Sequence, residues 1–147
     1  MTQEFSPQTL AIDTNVLLSA LVSRGLCHDL LNVLVRAHTS GHLVVVVPSR
    51  VLNELVSHLT GKFKIPKGLV EKHLQSLALF QQANARREPS VEIPDPDDLP
   101  IIAQALAANA DPFITGDKAL LALSQVDGMR IMSPREAFER FRPRAEA

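Results

Sequence analysis

Leu43-Val44-Val45-Val46-Val47-Pro48 is the stretch on which the fold turns. Five consecutive apolar residues, four of them β-branched and closed by a proline, predict a strand. The run does not alternate with polar residues, so both of its faces are expected to be buried, as in a parallel sheet with helices on each side. Immediately afterwards Val51, Leu52, Leu55, Val56 and Leu59 repeat at three and four, which predicts a helix over 49–59. Toward the N-terminus, Leu10–Ile12 reads as another buried strand. Asn15–Leu21 reads as a helix with Thr14 near its cap, and Cys27–Ala37 as a second helix with Leu30, Leu31, Leu34 and Val35 at helical spacing. Toward the C-terminus, the span from Gly61 to Lys67 reads as a connection, Leu69–Gln82 as a helix and Val91–Ile93 as a short strand. Ile101–Asn109 is apolar nearly all round and predicts a buried helix, with Pro100 in its first turn. Phe113–Thr115 and Arg130–Met132 read as strands, and Ser133-Pro134-Arg135-Glu136 predicts a capping box. Strands alternating with helices give an α/β class, a three-layer α/β/α arrangement around a mainly parallel sheet. The 147 residues are expected to form a single domain over 1–147, with a tail that frays from about 142.

Composition narrows the chemistry. Hydrophobic residues make up 46% of the chain and aromatic residues 4%, so the core must be built of Leu, Val, Ile and Ala. A net charge of −1 supplies no overall attraction to nucleic acid, and any such binding needs a local basic patch. The single cysteine, Cys27, rules out a disulfide framework or a cysteine-based zinc site within one chain. No apolar run is long enough to span a bilayer and the N-terminus lacks a secretory pattern, so a soluble, cytoplasmic protein with no membrane contact is expected.

Asp13 ends the first predicted strand, where open α/β sheets build their sites. Asp98 and Asp117 stand at comparable entries into helices, and Glu54 lies about one and a half turns inside the helix that follows the most buried strand. Each has an ordinary explanation. The three aspartates could be helix caps or partners of a helix dipole, and Glu54 could sit on a solvated edge. Taken together, four carboxylates at one edge of a sheet would repel one another unless a cation lay between them. Oxygen donors of this kind suit Mg²⁺, or Mn²⁺, better than zinc.

The stretches AIDTNVLLSAL, VVVPSRVLNEL, DPDDLPIIAQALAANAD, FITGDKALL and RIMSPREAFER, in this order, resemble the PIN domain, and in particular the PIN-domain ribonuclease toxins of bacterial toxin–antitoxin pairs. The resemblance covers nearly the whole chain and requires four separate acidic motifs together. It implies an Mg²⁺-dependent endoribonuclease whose acidic quartet falls on Asp13, Glu54, Asp98 and Asp117, which would be both catalytic and metal-binding. Asn15 and Thr115 match polar positions lining the family's site, and Asp95 and Asp97 belong to the same acidic turn as Asp98. One or two bound ions would hold the scissile phosphate and activate a water, leaving a 5′-phosphate and a 3′-hydroxyl. An RNA substrate, a protein antitoxin and a homodimer or higher homo-oligomer are implied as partners. The chain departs from many related sequences at Ala119, where a further acid is common, and this bears on the strength of a second metal site.

Other features carry less. His28, His38, His42, His58 and His73 are scattered without ligand spacing, and Cys27 has no histidine partner in the sequence. Lys62, Lys64 and Lys67 around Phe63 form either a solvated loop or a contact for RNA; Arg86-Arg87 and Arg140–Arg144 are similar. Arg50 could bind a phosphate or pair with an acid. Covalent phosphoryl transfer through Asp13 would call for a second acid two residues later, where Asn15 stands. A binding module that keeps the fold without catalysis is the remaining alternative.

Overall fold

The computed structural model describes residues 7–143. The elements run β1 (Gln8–Ile12), α1 (Thr14–Val22), α2 (Leu26–Thr39), β2 (Leu43–Pro48), α3 (Ser49–Ser57), a π-helical turn (His58–Lys62), α4 (Lys67–Leu77) and β3 (Gln81–Ala83). A 3₁₀ turn (Pro96–Asp98) leads into α5 (Leu99–Ala107), followed by β4 (Phe113–Ile114), α6 (Lys118–Leu123), β5 (Gln125–Val126), β6 (Met129–Met132) and α7 (Pro134–Phe141). The sheet order is β3-β2-β1-β4-β6-β5. All neighbours are parallel except β5, which runs antiparallel to β6. This is the three-layer, mainly parallel α/β architecture that the apolar strands require.

The central strands show why. Val45, Val46 and Val47 are each at most 2% exposed, although successive side chains point to opposite faces. Both faces of β2 are therefore covered: α2 and α5 each pack against it, and α2 also meets α7 while α5 meets α3. Each such valine contributes about 1.5–3 kcal/mol by leaving water. The chain moves outward from β1 to β2 and β3, then crosses back to place β4 on the other side of β1. The β1–β4 boundary is thus the topological switch point, where the loops leaving the two strands diverge and open a crevice.

Two expectations need correction. Leu69–Gln82 is not one helix: α4 ends at Leu77 and Gln81–Ala83 pairs as β3 with β2. Those residues are polar or small and sit at the sheet edge, so they lack the usual strand composition. Val91–Ile93 is not a strand; Ile93 is buried, but Val91 is 46% exposed and no ladder forms. The cap of α1 is Asp13, whose side chain accepts the Thr14 N–H, with Thr14 already helical. The connection after Leu59 is also more ordered than its Gly and Lys content implies, because a π-helical turn carries the chain to Lys62. Of the expected frayed tail, residues 144–147 lie outside the described residues. No single helix among the described residues is long and apolar enough to cross a membrane.

Candidate functional site

Asp13 leaves the C-terminal end of β1 only 3% exposed, beside Thr115, which is fully buried at the end of β4. Burial of a carboxylate demands hydrogen bonds, and the sequence around it supplies them. Oδ1 accepts the Thr14 N–H at 2.7 Å. Oδ2 accepts the Thr115 hydroxyl at 2.7 Å and Asn15 Nδ2 at 3.1 Å. Asn15 returns its Oδ1 to the Gly116 N–H at 2.9 Å, so β1 and β4 are laced together across the switch point. A Cβ added at Gly116 would stand 3.3 Å from Asn15 Oδ1, so the Asn15 side chain would have to give by a few tenths of an ångström.

Glu54 reaches the same place from α3. Its Oε2 accepts the Thr14 hydroxyl at 2.7 Å, and its Oε1 lies 3.6 Å from Arg50 Nε, one turn earlier. The start of α3 is itself held from α5. Gln104, 7% exposed, accepts the Arg50 N–H at 3.0 Å and donates to Ser49 Oγ at 2.7 Å. Pro48 offers no side-chain cap, so Gln104 takes over that role from a neighbouring helix. It was missed in the sequence, where a lone polar residue in Ile101-Ile-Ala-Gln104-Ala-Leu106 was the available signal.

Asp117 caps α6, accepting the Ala119 and Leu120 N–H groups through Oδ1 at 2.8 and 3.2 Å. Asp98 precedes α5 without a side-chain cap bond, leaving its carboxylate free. Asp95 spends one oxygen on the Asp97 N–H, which shapes the acidic turn, and Asp97 is exposed on it. The capping explanation therefore holds for Asp13 and Asp117, yet it does not exhaust their oxygens and does not apply to Glu54 or Asp98.

The charges act on one another. Asp98 is pushed up from 3.8 to about 7, first by burial and then by the negative charges of Asp13, Asp117, Asp95 and Glu54. Asp13 is also raised, chiefly by burial and further by Glu54 and Asp117, against the lowering effect of its bonds from Thr115 and Thr14. All four acids are thus brought within electrostatic reach, at the sheet edge expected from the sequence. Among the described residues, no three His, Cys, Asp or Glu side chains already stand close enough to enclose a metal ion. The donor set nonetheless suits a hard divalent cation in kind: carboxylate oxygens, whose mutual repulsion is met among the described residues by one ion pair, that of Glu54 with the exposed Arg50. A cleft of about 1240 Å³, lined by Gln8, Arg36, His42, Phe138 and Arg140, lies at the opposite end of the strands.

The model of the PIN domain matches residues 9–119, the stretch that carries Asp13, Glu54, Asp98 and Asp117. Among curated proteins none matches the chain significantly in sequence. Among solved structures, VapBC2 from Rickettsia felis, bound to a DNA fragment from their promoter, is similar with a TM-score of 0.62. Identity is 15%, and the match covers 86% of this chain and 98% of that one, which supports the fold.

Proposed function

This chain belongs to the PIN domain family, and on that premise we propose that it is an Mg²⁺-dependent endoribonuclease, the toxin of a toxin–antitoxin pair. The supporting observation is the convergence of Asp13, Glu54, Asp98 and Asp117 at the switch point, close enough for Asp98 to feel the other three. The VapBC2 neighbour belongs to a complex on promoter DNA, which favours an antitoxin partner and an oligomer for this chain as well.

Asp13 would be the fixed ligand, because three hydrogen bonds hold its carboxylate in one orientation. Among the described residues, Glu54 Oε1 accepts no hydrogen bond and meets only Arg50 Nε at 3.6 Å, which leaves it a lone pair for an ion, and Asp98 and Asp117 would close the site from the starts of α5 and α6. A bound divalent ion supplies charge to hold the scissile phosphate and lowers the pKa of a water. Thr115 and Asn15 set the direction of Asp13, and Asp95 shapes the turn that presents Asp98. Asp98, with its pKa raised to about 7, would bind an ion in competition with a proton.

A second reading keeps the fold as an RNA- or protein-binding module without catalysis. It is favoured by the absence, among the described residues, of three acids already closed round an ion, and by the use of Asp13 and Asp117 as caps. Calorimetric titration of the metal-free protein with Mg²⁺ separates the two. Saturable binding lost in Asp13→Asn supports the nuclease, and no binding heat at neutral pH supports the module.

A further inference from the structure

The lysines after α3 lie on a continuation of the helix that carries Glu54. Arg50, Glu54, His58 and Lys62 recur every four residues through α3 and the π-helical turn, a spacing that sets them along one ridge. The 3.6 Å approach of Arg50 to Glu54 shows that ridge directly. Eight residues separate Glu54 from Lys62, about 12 Å at helical rise. Phe63 follows, 38% exposed, with Lys62 Nζ 5.7 Å from its ring centroid. This arm is anchored. The Phe63 N–H closes on the His58 carbonyl at 3.1 Å, the Ile65 N–H on the Leu59 carbonyl at 2.8 Å, and Leu59 is fully buried. Lys64 and Lys67 add exposed positive charge beside it.

We propose that the ridge from Glu54 to Phe63 is a track for a single-stranded RNA, with Lys62 meeting a backbone phosphate and Phe63 stacking on a base. This rests on the nuclease reading and names the surface that substrate follows beyond the acids. The physical need is plain: six acids, Asp13, Glu54, Asp95, Asp97, Asp98 and Asp117, surround the edge, and a polyanion is repelled there unless cations flank it. A cation for the backbone beside an exposed aromatic platform for a base supplies the two contacts that hold a single strand without reading its sequence.

The test is binding of a fluorescein-labelled, uridine-rich single-stranded RNA to the Asp13→Asn protein with Mg²⁺, followed by anisotropy across a range of salt. Adding Lys62→Ala is expected to make the plot of log K against log salt shallower by about 0.7, and Lys62→Arg to restore it. Adding Phe63→Ala is expected to weaken binding roughly 5-fold or more at every salt concentration, with the slope unchanged. Leu69→Ala, on the neighbouring helix, serves as the control and leaves both quantities alone; thermal melts confirm that each variant folds. Unchanged affinity and slope in both the Lys62 and Phe63 variants overturn the track, as does binding too weak to measure in the parent. A partner protein would then be the better occupant of this arm. Failure of Mg²⁺-dependent cleavage with the track intact would sink the nuclease reading alone.

Discussion

Thr115 Oγ1 donates to Asp13 Oδ2 at 2.7 Å, joining the ends of β4 and β1 through a carboxylate that is 3% exposed. The same hydroxyl oxygen accepts the Asp117 N–H at 3.0 Å, so one buried threonine sets the place of two of the four acids. Thr115→Val keeps the shape and removes both bonds, together with the 3.3 Å bond that the hydroxyl oxygen accepts from Asn15 Nδ2. It should cost roughly 1.5–3 kcal/mol of stability, the scale of a hydrogen bond to a charged group. Asp13 should rise further in pKa, because that bond lowers it. Denaturant unfolding and Mg²⁺ affinity measured on Thr115→Val and Thr115→Ser check this; equal behaviour of the two variants would show that the hydroxyl is idle.

Asp98 gives the metal-free protein a pH dependence of definite sign. Its folded-state pKa of about 7 lies above the ordinary 3.8, so between these values the folded chain holds a proton that the unfolded chain has lost. Stability present at low pH therefore declines as pH rises through that window, and the raised Asp13 acts in the same direction. Melting temperatures in EDTA should fall over this range for the native chain and fall less for Asp98→Asn. Parallel curves would show that Asp98 is not the group involved. Mg²⁺ affinity should run the other way, rising with pH up to about 7 as the competing proton leaves.

Gln104→Leu removes two hydrogen bonds at the start of α3, to the Arg50 N–H and to Ser49 Oγ. A loss of roughly 1–3 kcal/mol is expected, at about 0.5–1.5 kcal/mol for each bond. Glu54 rides on the same helix, so Mg²⁺ affinity should fall as well. Gln104→Glu keeps the acceptor for the Arg50 N–H and is expected to lose less stability. A leucine variant with unaltered metal binding would confine Gln104 to helix capping.

Ser133→Ala provides the contrast. Ser133 and Glu136 form a reciprocal capping box at α7, one residue past Met132, whose carbonyl accepts the Thr115 N–H at 3.0 Å, yet the box itself bonds to none of the four acids. The variant should lose about 1 kcal/mol and leave metal binding unchanged. A change in metal affinity would show that stability and site are coupled through α7.

The sequence makes the buried strands legible because burial on both faces admits only apolar side chains, as in Leu10–Ile12 and Leu43–Val47. The helix starts at Pro100 and Ser133 were legible because local chemistry fixes them. The edge strand Gln81–Ala83 was not, since its place depends on pairing with β2 rather than on its own composition. The β5–β6 hairpin had a signal that was overlooked: Asp127-Gly128, both at positive φ, between Val126 and Met129. At the site, the acids and their polar neighbours Asn15 and Thr115 could be named from motifs. The Gln104 clasp could not, because it joins residues 55 apart through packing of α5 on α3.

The central claim is tested most directly by incubating purified, partner-free protein with total RNA and Mg²⁺, beside EDTA and Asp13→Asn controls. Asp13→Asn should preserve the fold, because asparagine can still cap α1. Cleavage that requires the metal and disappears in a folded Asp13→Asn protein is the predicted result. Cleavage that persists in EDTA, or survives the Asp13 substitution intact, would contradict the assignment of the acidic edge as the catalytic site.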